Sequence, residues 1–134
     1  MTTATTHPAL GPAQLGARNL RNRLAVAPMT RVSATPDGVP TPDMADYYAA
    51  FAEGGFGLVI TEGTYPDAEH SQGYLNQPGL VTDSHVAGWR AVTRRVHAAG
   101  AVMIAQLMHA GALSRATRTA PAPSGPRPCS RVGR

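Results

Sequence analysis

The chain has 134 residues and a mass of 14.0 kDa, a length that suits one domain and is too short for two ordinary ones. Hydrophobic residues make up 43% of it and charged residues 15%, a composition that excludes disorder over the whole length. No apolar run approaches the roughly 20 residues that a membrane-spanning helix needs, and the single Cys129 excludes an intrachain disulfide.

The positive charge is distributed unevenly along the chain. All twelve cationic residues are Arg; residues 84–134 hold eight of them and no acidic residue, whereas residues 1–83 hold all eight acidic residues. Such an asymmetry can indicate a nucleic-acid surface, but no aromatic platform or reading helix accompanies it, so we predict no nucleic-acid partner. The first ten residues lack the basic and apolar regions of a secretory signal, and we therefore expect a cytoplasmic protein with no membrane partner.

The first half of the chain predicts a lead segment, a strand and a helix. Residues 1–17 are rich in Thr, Ala and Pro and show no periodicity, so we expect a flexible lead. The short apolar run at 24–29 suits a buried strand that a proline terminates. Thr41 then suits the N-cap of a helix with Pro42 as its first residue, and this helix is expected to stop at Gly54–Gly55.

The second half predicts a strand, a helix and a further strand. Residues 57–61 form a strongly apolar run that is typical of a buried strand. Thr82 or Asp83 caps a second helix, whose apolar residues recur every three or four positions until Gly100. Residues 101–107 predict the third strand. The order βαβαβ, with near-continuous apolar strands, predicts a parallel sheet that is covered on both faces.

Two architectures share this order of elements. A dinucleotide-binding Rossmann unit places a G-x-G-x-x-G turn after its first strand, and the connection between the first strand and its helix contains no such motif. A (β/α)8 barrel instead places functional residues at the carboxyl ends of successive strands. Polar clusters follow all three strands here, at residues 28–31, 61–63 and 106–109. We therefore predict an α/β fold made of the first three strands and two helices of a (β/α)8 TIM barrel, incomplete because a whole barrel needs about 250 residues.

Five stretches of sequence occur in an order and at a spacing that match one known family. They are 22–31 (NRLAVAPMTR), 58–63 (LVITEG), 73–79 (GYLNQPG), 85–90 (HVAGWR) and 106–111 (QLMHAG). They resemble the N-terminal part of the old yellow enzyme family of FMN-dependent oxidoreductases. The resemblance implies a partial TIM-barrel, FMN-binding region at residues 18–124, followed by an irregular tail at 125–134. The abrupt change to Arg, Pro and Gly in that tail suggests the hypothesis of a frameshifted or prematurely ended reading frame.

The resemblance implies a set of flavin contacts at the ends of the strands. Pro28, Met29 and Thr30 would line the flavin, with Thr30 donating hydrogen bonds near the edge that accepts hydride. Gly63 would let the backbone approach the isoalloxazine face, where a Cβ would intrude. The amide of Gln106 would complement the pyrimidine rim, and it would cost about 1–3 kcal/mol if buried without a partner. The alternatives are a strand cap for Thr30, an ordinary loop glycine at 63, and an amide bonded to neighbouring loops at 106.

Two residues that follow Gln106 are implied to line the substrate cavity. Met108 stands at a position that is often aromatic in the family, and His109 either lines the active site or has a structural role. Glu62 is expected to make a structural hydrogen bond, because no second carboxylate or nucleophile is in register with it. We predict no metal site, because the histidines lack the spacing of metal-ligand motifs.

By this resemblance the predicted function is that of an NAD(P)H oxidoreductase of the ene-reductase type. FMN would accept hydride from NAD(P)H and reduce the activated C=C bond of a small-molecule alkene. We assign no catalytic residue, because the resemblance places the His/Asn or His/His pair that grips the substrate, and the proton-donating Tyr, beyond the sequence. The alternative is a catalytically inactive truncated fragment of such an enzyme, so the enzymatic status stays open at this point. The open edge of the third strand further predicts self-association.

Overall fold

A computed structural model describes residues 7–114 and shows a β-hairpin followed by a parallel sheet with two helices. The strands are β1 (Ala13–Leu15), β2 (Arg18–Leu20), β3 (Ala25–Val26), β4 (Leu58–Thr64) and β5 (Val102–Leu107). The helices are α1 (Pro42–Glu53) and α2 (Asp83–Ala98), and 3-10 turns occupy Pro8–Leu10 and Gly111–Leu113. β1 pairs with β2 in antiparallel orientation, whereas β3, β4 and β5 form a parallel sheet in that order.

Part of the segment predicted as a flexible lead belongs to the hairpin. β1 pairs with β2 through a two-residue connection, in which Gly16 adopts a φ of +56° in the left-handed region. The prediction of a lead is therefore wrong for residues 13–17, because a three-residue strand is too short to show a recognisable alternation. Residues 1–6 and 115–134, which include the tail predicted at 125–134, lie outside the described part of the chain.

Both helices begin at the caps that the sequence indicates. The Thr41 hydroxyl accepts the Met44 N–H at 3.3 Å, and α1 ends just before Gly54, with Gly55 at a φ of +102°. At the start of α2, the Thr82 hydroxyl accepts the His85 N–H, while His85 Nδ1 accepts the Thr82 N–H. This reciprocal pair is a capping box in which a histidine stands in place of the usual Glu or Gln.

The strands differ in length from the predicted ones. β3 covers only Ala25–Val26 of the predicted strand 24–29, because Pro28 has no N–H with which to continue a ladder and the chain is exposed from Ala27 to Arg31. β4 extends to Thr64, three residues further than predicted, after an irregularity in its pairing with β5. This extension carries the predicted site residues of β4 into the sheet itself.

Both helices pack on one face of the parallel sheet. The core joins Val26 and Val59 of the sheet to Tyr48 of α1 and Val92 of α2. On the opposite face of β5, Ile104 is 38% exposed. Leu58 of β4 lies on the same face and is buried, so the prediction that the sheet is covered on both faces is wrong at β5 alone. Right-handed crossovers place successive helices on the same side of a sheet, so neither helix covers this face of β5.

One edge of the parallel sheet carries exposed apolar side chains. In β5 the residues from Ile104 to Leu107 are exposed, and Leu107 reaches 60%. Within residues 7–114 no strand pairs with this edge of β5, so the sheet is not closed into a barrel. Unpaired edges with apolar neighbours favour association, and self-association through this edge stays a prediction.

Asn22 connects the amino ends of β3 and β4. Its Oδ1 accepts the backbone N–H groups of Leu24 at 3.1 Å and Gly57 at 3.0 Å, and its Nδ2 donates to the Gly55 carbonyl at 2.6 Å. The side chain is buried, so these bonds satisfy an amide that would otherwise be costly to desolvate. Asn22 therefore anchors the end of the sheet opposite to the predicted site.

Candidate functional site

The candidate site lies at the carboxyl ends of the parallel strands. Gly63 of β4 and Gln106 of β5 are register partners. The backbone N–H of Arg31, the residue after Thr30, donates to the Glu62 carboxylate at 2.9 Å. The segment after β3 therefore reaches the same end of β4, and the structure brings together the three strand ends that the sequence predicts as the site.

The side chains of Thr30 and Gln106 at these strand ends are exposed and form no hydrogen bond with another residue of the described part of the chain. Pro28, Met29 and Thr30 are exposed, and no hydrogen bond to the Thr30 hydroxyl forms within residues 7–114. The Gln106 side chain is also exposed and makes no hydrogen bond to another described residue, although its backbone N–H donates to Thr61 Oγ1 at 3.0 Å. The alternative of an amide bonded to neighbouring loops is therefore not observed within residues 7–114, where no strand covers the outer edge of β5 and the end of this strand faces solvent.

Gly63 allows a close approach between two strand ends. It is buried, and an ideal Cβ built on it would lie 2.7 Å from Met108 Sδ and 3.0 Å from Met108 Cβ. The alternative of an ordinary loop glycine is wrong, because Gly63 lies within β4. The packing of Met108 on this backbone is sufficient to explain why position 63 is a glycine. The approach of Gly63 to a flavin stays a prediction.

Gln77 fixes the loop after β4 to the end of that strand. Its Oε1 accepts the N–H groups of Gly73 at 2.8 Å and Tyr74 at 3.2 Å, and its Nε2 donates to the Gly63 carbonyl at 2.8 Å. The side chain is 1% exposed. Gln77 was not among the predicted site residues, since a glutamine beside Pro and Gly is typical of an exposed turn and no local pattern indicates its burial.

A cavity of about 350 Å³ opens beside the strand ends. It is lined by Gly73, Tyr74, Met108, His109, Ala110 and Leu113. Met108 and His109 are the two residues predicted to line the substrate cavity, and His109 Nδ1 accepts the Gly111 N–H at 2.9 Å. The volume lies within the range of small-molecule sites, and occupation by a substrate stays a prediction.

Glu62 is a buried carboxylate next to the candidate site. It is 1% exposed, and its Oε2 accepts the backbone N–H groups of Arg31 at 2.9 Å and Val32 at 2.8 Å. The Tyr48 hydroxyl accepts the Glu62 N–H at 2.9 Å and lies 3.5 Å from Glu62 Oε1. The expected structural hydrogen bond of Glu62 is therefore confirmed.

The phenol of Tyr48 makes the stability of the chain sensitive to alkaline pH. Burial raises the pKa of Tyr48 well above its usual value of 10.0. The folded state therefore holds the phenolic proton more tightly than the unfolded state, so this stabilisation is complete below about pH 10 and is lost as the pH rises beyond it. We expect the urea midpoint to fall between about pH 8 and about pH 11, and to fall less in Tyr48→Phe.

The composition of the chain keeps this titration simple. The chain has no Lys, whose side chain would ionise in the same range, so tyrosines dominate the alkaline titration. Burial also raises the pKa of Tyr65, so Tyr48→Phe should reduce the pH dependence without abolishing it. Tyr74 is exposed, and Tyr74→Phe is the matched control that should keep the full dependence. An unchanged slope in Tyr48→Phe would contradict the assignment.

Clusters of metal ligands and membrane-spanning helices would each indicate a different kind of site. Among the described residues no group of three or more His, Cys, Asp or Glu side chains is placed to hold a metal ion. Over the same range no helix combines the length and the apolar character that crossing a bilayer requires. The carboxylate nearest to the strand ends, that of Glu62, is occupied by backbone N–H groups.

Comparison with known proteins gives consistent matches along the chain. Residues 10–131 match the NADH:flavin oxidoreductase / NADH oxidase family. A chanoclavine-I aldehyde reductase of Penicillium roqueforti is 44% identical over 100 residues, which are 75% of this chain and 27% of that protein. The 12-oxophytodienoate reductase 7 of Oryza sativa subsp. japonica is 37% identical over 123 residues, which are 92% of this chain and 30% of that protein.

Solved structures agree in both fold and sequence. The old yellow enzyme of Pichia sp. superposes with a TM-score of 0.76 at 36% identity, over 80% of this chain and 28% of that one. Morphinone reductase in complex with tetrahydroNAD gives a TM-score of 0.72 at 38% identity, over 81% of this chain and 29% of that one. This chain thus spans less than a third of the length of these relatives. It belongs to the NADH:flavin oxidoreductase / NADH oxidase family, together with old yellow enzyme.

Proposed function

We propose that this chain provides the flavin-contacting strand ends of an FMN-dependent NAD(P)H oxidoreductase of the ene-reductase type. In this proposal β3, β4 and β5 with α1 and α2 are the first three strands and two helices of a (β/α)8 barrel, whose inner wall is the face of the sheet that carries Ile104. The observation that carries the proposal is the amide of Gln106 beside Gly63, which is exposed and makes no hydrogen bond to another residue within 7–114. Ligands of such barrels bind at this carboxyl end of the strands.

The groups at the strand ends fit a flavin in their chemistry. FMN, when bound, supplies hydride transfer from NAD(P)H to an activated C=C bond. The Gln106 amide would both donate to and accept from the pyrimidine rim, and Thr30 would donate near the hydride-accepting edge. Pro28 and Met29 would line the ring, and Gly63 would leave room for it once the Met108 side chain, which packs against Gly63 in this structure, turns away. These roles use only groups that are exposed or lack a Cβ in the structure.

The cavity beside the strand ends is the proposed substrate site. Met108 and His109 would line it and take a small activated alkene, because the volume of about 350 Å³ suits a small molecule and most of the lining is apolar. The family's reductases of small molecules support this substrate class. We propose no nucleic-acid or membrane partner and expect a cytoplasmic location.

One observation favours a second candidate, a chain that is catalytically inactive by itself. The chain covers only 27% and 30% of the two curated relatives compared above, and we assign no catalytic residue in it. In this candidate the strand ends keep the shape of the flavin site without supporting turnover. The two candidates predict the same flavin binding and differ in NAD(P)H consumption.

The test is reconstitution of the purified 134-residue chain with FMN. After removal of free flavin, protein that keeps the flavin's visible absorption band supports flavin contact by the strand ends. Consumption of NAD(P)H in the presence of a small enone, above that of free FMN at the same concentration, supports the oxidoreductase. Flavin binding without turnover supports the inactive candidate, and protein that remains colourless at saturating FMN contradicts the proposed flavin site.

A further inference from the structure

Glu62 has a buried carboxyl group that the proposed function does not use. Its side chain is 1% exposed, so it cannot reach a flavin or a substrate directly. Within the described part of the chain it forms no ion pair, and its partners are two backbone N–H groups and the Tyr48 hydroxyl. A buried carboxylate is costly unless donors compensate it, so these contacts are strong constraints on the segment that provides them.

That segment immediately follows the proposed flavin contact at Thr30. β3 ends at Val26, and the first hydrogen bonds after Thr30 are those of Arg31 and Val32 to Glu62. Thr30 itself is exposed and lies in no strand, so the sheet does not hold it in place. The position of its hydroxyl and N–H therefore depends on how its C-terminal neighbours are held.

The backbone at Val32 is strained in a way that needs such a constraint. Val32 has a φ of +51°, in the left-handed region, which is unfavourable for a β-branched residue. Conformations of this kind persist where the surroundings over-determine them, and they concentrate at functional sites. The Val32 N–H donates to Glu62 Oε2 at 2.8 Å, so the carboxylate holds the strained residue.

We propose that Glu62 is a positioning residue, which sets the position of Thr30 and through it the affinity of the chain for FMN. The inference rests on the proposed function, because Thr30 must be a flavin contact for its position to matter. Glu62 acts through two backbone N–H groups rather than by touching the flavin. Its influence on FMN should therefore depend on the Thr30 hydroxyl.

The experiment is a double-mutant cycle on FMN affinity, measured by quenching of flavin fluorescence in the full chain. Glu62→Gln keeps the shape and one acceptor oxygen, whereas Glu62→Ala removes the carboxylate. We expect Glu62→Ala to weaken FMN binding about tenfold and Glu62→Gln to weaken it less, which is the size of couplings between contacting residues. In a Thr30→Ala background the same Glu62 changes should weaken binding by about twofold or less.

A matched control separates positioning from general loss of stability. Asn22→Ala also removes a buried anchor of two backbone N–H groups, but at the opposite end of the strands. It should lower the thermal midpoint without changing FMN affinity. Hydrogen exchange of the Arg31 and Val32 amides should be faster in Glu62→Gln than in the unmodified chain. Because Glu62→Gln is isosteric, this measurement remains possible if Glu62→Ala does not fold.

The outcomes distinguish this inference from the proposed function. If the unmodified chain binds FMN and both Glu62 variants bind it equally well, the inference fails while the proposed function stands. Equal effects of the Glu62 changes with and without the Thr30 hydroxyl overturn it as well, because they show a general structural role. If the unmodified chain does not bind FMN at all, the proposed function fails and the inference fails with it.

Discussion

Replacing Trp89 with Ala is expected to remove most of the folding stability of the chain. Trp89 is buried in the core, packs on Tyr48 with ring centroids 6.2 Å apart, and donates its indole N–H to the Gly79 carbonyl at 2.9 Å. Truncation of a buried Trp costs about 3–5 kcal/mol, whereas small domains are stable by only about 5–15 kcal/mol. The open face of the sheet places this fold near the lower end of that range, because less apolar surface is buried.

Trp89→Phe separates the two contributions of this residue. It keeps most of the ring packing and leaves the Gly79 carbonyl without its indole donor, so a loss of about 1–3 kcal/mol is expected. The stability of both variants is measured by urea denaturation followed by far-UV circular dichroism. Trp fluorescence cannot be used, because each substitution removes the only Trp of the chain. A Trp89→Ala variant with the midpoint of the unmodified chain would show that the helices do not pack through this residue.

Local patterns in the sequence were sufficient to locate the helices and the parallel strands. Thr41 before Pro42 and Thr82 before Asp83 are caps that act over three residues, and the structure contains the hydrogen bonds that they indicate. The run at 57–61 is apolar because it crosses the core, and burial of that kind is visible in a short window. The placement of the strand ends at one edge then follows from parallel pairing alone.

Polar residues buried by distant partners could not be predicted in the same way. Glu62 binds N–H groups that lie 30 and 31 positions earlier, and Gln77 binds a carbonyl 14 positions earlier, so no local window contains both partners. Gln106 shows the opposite case. The apolar neighbours of Gln106 indicated that its side chain is buried. Whether a strand is covered depends on what pairs with its edge, and the periodicity of residues within the strand does not contain this information.

Replacing Gln106 with Leu is expected to weaken FMN binding by roughly 10- to 100-fold, the effect of losing about two hydrogen bonds. The side chain is exposed and unbonded within residues 7–114, so the free energy of unfolding should change little. Loss of affinity without loss of stability distinguishes a ligand contact from a structural residue. Fluorescence titration with FMN and urea denaturation of the same preparation measure the two quantities together.

Two further variants make the Gln106 result specific. Gln14→Leu changes another exposed glutamine on a strand, in the hairpin away from the candidate site, and should leave FMN affinity unchanged. Gln106→Glu keeps acceptors but removes the amide donor, so its affinity should lie below that of the unmodified chain, whose amide supplies both. If Gln106→Leu binds FMN as tightly as the unmodified chain does, the exposed amide is not a flavin contact. The proposed site would then lose the observation on which it depends, because the Thr30 hydroxyl alone offers no pairing with the pyrimidine rim.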